Sequence, residues 1–131
     1  LIKSGIDCSS AVKMINSIML TKSEEESFAT LDIARIDLET CELTLYKSGA
    51  SSTLIKYDDS VMMFNSPSNP IGIIPDTQIF SRTCNFSKEN ILVMLSDGVD
   101  ESLYLYIKEQ LMTVGQLETI ADNVCESAGK K

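Results

Sequence analysis

Histidine and tryptophan are absent from the 131 residues, and none of the four cysteines (Cys8, Cys41, Cys84, Cys125) stands in a Cys-x-x-Cys pair. A structural zinc site is disfavoured on that ground, and a Ser-His-Asp or Cys-His nucleophile within the chain is excluded. Basic residues are also few, 11 Lys and Arg against 19 Asp and Glu, for a net charge of −8. The only adjacent basic pair is Lys130-Lys131, so the clustered cationic surface that nucleic-acid binding needs is missing and no nucleic-acid partner is expected. No apolar run approaches the ~20 residues of a membrane-spanning helix, and no membrane contact is expected from this segment. Leu1-Ile2-Lys3-Ser4-Gly5 carries neither an initiator methionine nor a signal-peptide pattern, and it reads as the interior of a longer chain.

What is present is ordinary globular material, 44% hydrophobic and 23% charged, at a length suited to one domain. Cys41 and Cys84 fall in strand-like stretches and Cys125 on a helical face, which makes buried, reduced thiols the expectation and favours the cytosol.

Hydrophobic spacing divides the chain. Ala11, Val12, Ile15, Ile18 and Met19 form a helical stripe, capped by Asp7 or a following serine. Residues 1–5 resemble the tail of an earlier helix stopped by Gly5. Glu24-Glu25-Glu26 reads as a solvated loop, with cation binding as the alternative. From residue 28 the period becomes strand-like. Residues 28–37 and 41–47 predict a hairpin turning at Leu38-Glu39-Thr40, followed by strands at 52–57 and 61–64 about an Asp58-Asp59 turn. Residues 65–75 hold all three prolines with Gly72 and predict an ordered loop across one end of a sheet. Two more strands are expected at 78–86 and 90–96. Helical stripes then follow, Leu103, Tyr104, Ile107 and Leu111, and next Leu117, Ile120, Ala121 and Val124. Thr113 to Gln116 matches a capping box for the last helix. Helix, about six strands and two helices indicate an α+β architecture with mostly antiparallel sheet.

One stretch stands out chemically. Ile91-Leu92-Val93-Met94-Leu95 is apolar enough for a buried strand, and it delivers Ser96-Asp97-Gly98-Val99-Asp100-Glu101 at its end. A carboxylate taken out of water costs several kcal/mol unless it is paired, hydrogen-bonded or bound to a metal. Glycine directly after it permits a sharp turn or a close approach to a ligand. The pattern points to a divalent-cation position at Asp97; a strand that simply ends in an Asp-Gly turn is the alternative.

Four stretches in order resemble the metal-dependent protein phosphatases of the phosphatase 2C type, and within them the stage II sporulation protein E family. They are Ser4-Gly5-Ile6-Asp7 leading into the helix with Ile15-Asn16-Ser17-Ile18; Ala29-Thr30-Leu31-Asp32 with Ile36-Asp37-Leu38; Asn69-Pro70-Ile71-Gly72-Ile73; and Leu95-Ser96-Asp97-Gly98-Val99 with Glu101. The resemblance implies a phosphatase 2C-like antiparallel β-sandwich flanked by helices, present over residues 1–131 as a single partial domain. It also implies two Mn²⁺ or Mg²⁺ ions that activate water for in-line attack on phosphorus, and hard ions of this kind take oxygen ligands. Carried over by position, Asp97 is a metal ligand, Gly98 permits its turn, and Glu101 takes a supporting or helix-start role. Thr30 lies on a strand expected near the site and is assigned no role, and no catalytic or substrate-binding side chain is identified.

The family's Asp-Gly-Met-Gly motif, expected before the first helix, does not occur, and neither does its last acidic pair opening a final strand. Asp122-Asn123 falls inside a helical stripe and is rejected. The resemblance therefore implies a segment that is inactive alone. The substrate it implies is a phosphorylated anti-sigma-factor antagonist, met in the cytoplasm, or on the cytoplasmic side of the membrane where the parent carries an N-terminal membrane region. The competing readings are a non-catalytic interaction or regulatory module that retains the phosphatase fold, and an unrelated α+β domain.

Overall fold

A computed structural model describes residues 7–22, 28–65, 67–76, 78–96 and 98–129. The element order is α1 (Cys8–Lys22), β1 (Leu31–Asp37), β2 (Glu42–Ser48), β3 (Thr53–Lys56), β4 (Val61–Phe64), β5 (Phe80–Asn85), β6 (Ile91–Val93), α2 (Glu101–Thr113) and α3 (Leu117–Gly129). Helix, six strands and two helices are the order expected from hydrophobic spacing. The chain divides into two compact units, residues 1–50 with 66–87, and residues 51–65 with 88–131.

The first unit holds a three-stranded antiparallel sheet in the order β1-β2-β5. The β1–β2 hairpin turns where expected, because the Asp37 carboxylate accepts the amides of Glu39 and Thr40 at 2.9 and 3.2 Å. Those bonds hold the Asp37 carboxyl below its ordinary value of 3.8, the Thr40 amide contributing most. Cys41 closes the turn with φ 57, in the left-handed region. Register sets Asp32 opposite Lys47, and Lys47 Nζ meets Asp32 Oδ2 at 2.7 Å with no exposure of the lysine side chain. Helix α1 starts at an Asp7 cap: the carboxylate accepts the Ser10 amide at 3.1 Å and the Ser10 hydroxyl at 2.7 Å.

The 67–76 loop is ordered against this unit, as its turn-forming composition predicts. Ala29 and Ile71 exchange both backbone hydrogen bonds, at 3.0 and 2.9 Å. The Ser48 hydroxyl donates to the Asn69 carbonyl at 2.7 Å. Gly49 has φ 64, and a Cβ there would meet Pro70 N at 2.5 Å, so both conformation and space require glycine. Asn16, buried on α1, fastens the other end of the loop. Its Oδ1 accepts the Gly72 amide at 2.6 Å, while its Nδ2 donates to the carbonyls of Ile74 and Pro75 at 3.0 and 3.2 Å.

The second unit holds a sheet in the order β4-β3-β6, again antiparallel. Its core joins Leu54 of β3 to Leu103, Ile107 and Leu111 along one face of α2 and to Ile120 of α3.

Several expectations need correction. The strand expected at 90–96 is only Ile91–Val93, and its residues are half-buried, not buried. An open apolar groove of ≈ 350 Å³ runs along 91–95 between this strand and the helices, which leaves Met94 exposed. The strands expected at 28–37 and 78–86 begin later, because Ala29 spends its backbone groups on Ile71 and because pairing with β2 starts at Phe80. The thiols are not uniformly buried: Cys8 is, Cys84 is half-buried, and Cys41 and Cys125 are exposed, all four reduced. Thr113 does not cap α3. It is the last residue of α2, and its hydroxyl donates back to the Glu109 carbonyl at 2.7 Å. Residues 1–5, Glu24-Glu25-Glu26 and Asp97 lie outside the described residues.

Candidate metal-site segment

The segment between β6 and α2 carries the expected site, and its described residues are held individually. Gly98 has φ 91, a left-handed conformation, while a Cβ there would meet nothing within 4 Å; glycine is required by backbone conformation and not by space. Asp100 caps α2 with extended backbone, its Oδ1 accepting the Leu103 amide at 2.9 Å and the Ser102 hydroxyl at 2.7 Å. Glu101 is the exposed first residue of α2, where a negative charge complements the helix dipole.

On the other side of residue 97, the Ser51 hydroxyl donates to the Ser96 carbonyl at 3.2 Å. Tyr104, in the first turn of α2, uses its phenol oxygen twice on the neighbouring residue: it accepts the Ser52 amide at 2.8 Å and donates to the Ser52 carbonyl at 3.4 Å. The Ser52 side chain in turn bonds to that of Asn65. Ser96 on one side of this segment, and Asp100 and Tyr104 on the other, are thus each held by side-chain hydrogen bonds.

Sequence reasoning singled out Asp97, Gly98 and Glu101 but not the Asp100 cap, although an aspartate just ahead of the Leu103–Ile107–Leu111 stripe is the ordinary N-cap signal. Ser51 and Tyr104 carry no comparable signal, since their roles depend on pairings 45 and 52 residues apart in sequence. Thr30 is exposed between Ala29 and the start of β1.

The donors suit a hard cation in kind. With no histidine in the chain, oxygen ligands are what this segment offers, the preference of Mg²⁺ and Mn²⁺. In number they fall short: among the described residues no three Asp, Glu, Cys or His side chains converge to hold an ion. Among the same residues no helix is long and apolar enough to cross a membrane.

Comparison with known proteins identifies the family and the fold. Residues 1–130 match the model of the family described as Stage II sporulation protein E (SpoIIE). The chain is 31% identical over 137 residues to stage II sporulation protein E of Priestia megaterium, covering 96% of this chain and 23% of that protein. Among solved structures, it superposes with a TM-score of 0.79 on the PP2C phosphatase domain, with a fragment of the regulatory domain, of the cell fate determinant SpoIIE from Bacillus subtilis. Identity there is 31%, over 98% of this chain and 41% of that one. The Mn-presoaked phosphatase domain of the same Bacillus subtilis protein matches with a TM-score of 0.66 at 30% identity, over 98% of this chain and 60% of that one. The two antiparallel sheets with three helices match part of the PP2C phosphatase fold, and the chain spans about a quarter of the Priestia relative. The chain belongs to the stage II sporulation protein E family.

Proposed function

We propose that the chain is a partial catalytic domain, residues 1–131, of a metal-dependent phosphoserine and phosphothreonine protein phosphatase that dephosphorylates an anti-sigma-factor antagonist in the cytoplasm. The observation that carries this reading is the Ser96-Asp97-Gly98-Val99 sequence, lying in the chain between β6 and α2 in a protein matched by the family over residues 1–130. Asp97 is the proposed ligand for Mn²⁺ or Mg²⁺, Gly98 gives the turn that follows it, and Glu101 supports the start of α2. When bound, two such ions supply an activated water and neutralise charge on the phosphoryl oxygens. The net charge of −8 argues against a nucleic-acid substrate.

One carboxylate does not hold a hard cation against water, so the 131-residue segment alone is proposed to be inactive and the longer domain to supply the remaining ligands. The test uses the longer protein that contains this segment. Phosphate release from a phosphoserine form of the antagonist should require Mn²⁺ or Mg²⁺ and fall at least about a hundredfold on Asp97→Asn, the scale of losing a group that acts in the transition state. Unchanged release in Asp97→Asn would remove Asp97 from the site.

A further inference from the structure

We propose that the buried pair Asp32–Lys47 is a register lock, committing the edge strand β1 to the one pairing in which the 67–76 loop can seat. Strand β1 lies at the edge of its sheet, so within the sheet its register is set from the β2 side alone. Directly opposite residues share a face. Leu43, Leu45 and Lys47, all fully buried, therefore share theirs with Ile36, Ala34 and Asp32. Hydrophobic alternation fixes only the parity of this pairing. A slip of one residue would turn Arg35 to the buried face, whereas a slip of two keeps every β1 side chain on its present face. In one direction Leu45 would then face Ile36, an apolar match equal to its present one with Ala34; in the other Leu43 would face Ala34. The charges tell these pairings apart. Lys47 Nζ lies 2.7 Å from the Asp32 carboxylate with no exposure of its side chain. In the two slipped registers Lys47 would face Ala34 or Thr30 instead. Parting a buried charge from its partner is strongly unfavourable, and fixing one register is the best-attested use of such a pair. The Asp37 turn favours the same register, but through exposed hydrogen bonds that water can replace.

The seating of the loop depends on this choice. Ala29, two residues ahead of β1, exchanges both backbone hydrogen bonds with Ile71. At the end of β2 the Lys47 carbonyl accepts the Ser68 hydroxyl at 3.2 Å, Ser48 donates to the Asn69 carbonyl, and the Gly49 backbone lies against Pro70. Both strands thus grip one loop, and they do so together with Leu31 opposite Ser48. A two-residue slip, roughly 7 Å along the strand, would carry Ala29 away from Ile71 while Ser48 kept its partner.

The experiment compares the isotope-labelled 131-residue chain with its Asp32→Leu, Lys47→Met double variant by NMR. The unmodified chain should give one set of β1 amides, with Ala34 in cross-strand contact with Leu45. The double variant should add a second set at about 5–10% of the signal, a minor-state population, in which Ala34 contacts residue 43 or 47. Solvent exchange of the Ala29 and Ile71 amides should quicken with it, by about tenfold or more. A merely stabilising pair would lower the unfolding midpoint without producing the second set. A double variant that keeps a single set with Ala34 against Leu45 overturns the lock, whatever its stability. Where the double variant does not fold, the exchanged pair Asp32→Lys with Lys47→Asp decides. A single set with the Ala34–Leu45 contact then supports the lock, and loss of that contact overturns it.

Discussion

The side-chain oxygen of Asn16 accepts the Gly72 amide at 2.6 Å while its nitrogen holds the Ile74 and Pro75 carbonyls, so one buried amide closes three backbone groups of a loop 56 to 59 residues away. Replacing it removes every one of these partners at once. Asn16→Ala is expected to destabilise the chain by about 1–3 kcal/mol, because the Gly72 N–H and the two carbonyls lose their partners in a part-buried setting. The measurement is the urea midpoint at constant slope; a loss below about 0.5 kcal/mol, the usual surface value, would show that water replaces the amide.

The buried pair Lys47–Asp32 makes a different prediction. Removing one charge strands the other, so Lys47→Met or Asp32→Leu alone should cost about 3–5 kcal/mol. The double substitution should cost clearly less than the sum, since an apolar pair needs no compensation. Additive costs in a double-mutant cycle would show that the two side chains stabilise the sheet independently.

Gly49→Ala should also be costly, by about 1–3 kcal/mol. A left-handed φ of 64 combines there with a Cβ that would sit 2.5 Å from Pro70 N. Gly98→Ala shares the first problem but not the second, having open space around it, and should be the milder of the two. Thermal unfolding of the two variants side by side reads the difference, and equal losses would mean that the Pro70 contact yields freely.

Acid sensitivity has a defined sign. Hydrogen bonds from the Ser10 side chain, then from its backbone, hold the Asp7 carboxyl below its ordinary value of 3.8. Asp37 is lowered likewise, chiefly by the Thr40 and Glu39 amides. A group whose pKa is depressed on folding binds its proton more readily when unfolded. Its contribution is therefore complete above 3.8 and disappears as pH falls below that value through the folded pKa. Asp7→Ala should flatten the stability curve below pH 3.8 and leave its shape above pH 5 unchanged, as followed by urea unfolding at a series of pH values. A curve as steep as that of the unmodified chain would assign the acid limb to other carboxylates.

Much of this architecture was legible because local chemistry and tertiary structure agree. The Asp37 turn, the Asp58-Asp59 bend, and the stripes through Ile107 and Ile120 each satisfy a short-range rule that packing then uses. The misses have a common cause. Ile91 to Leu95 reads as a buried strand from composition, yet pairing with β3 extends only from Ile91 to Val93 and burial is partial. Thr113 matched a capping pattern but ended the preceding helix, where its hydroxyl found the Glu109 carbonyl. Cys41 looked like a strand residue and instead closes a turn in the left-handed region. Asp97 and Gly98 were visible as a motif, whereas the bonds of Ser51 and Tyr104 in the second unit, and those of Asn16 and the depth of Lys47 in the first, were not. Those roles arise from partners distant in sequence, which spacing alone does not encode.

The most direct test of the account is phosphate release from a phosphoserine peptide, measured for the 131-residue chain and for the longer protein containing it, with and without Mn²⁺. The expected result is metal-dependent release by the longer protein, lost on Asp97→Ala, with release by the 131-residue chain no faster than buffer. Robust Mn²⁺-dependent turnover by the 131-residue chain, or turnover by the longer protein that survives Asp97→Ala, would contradict it.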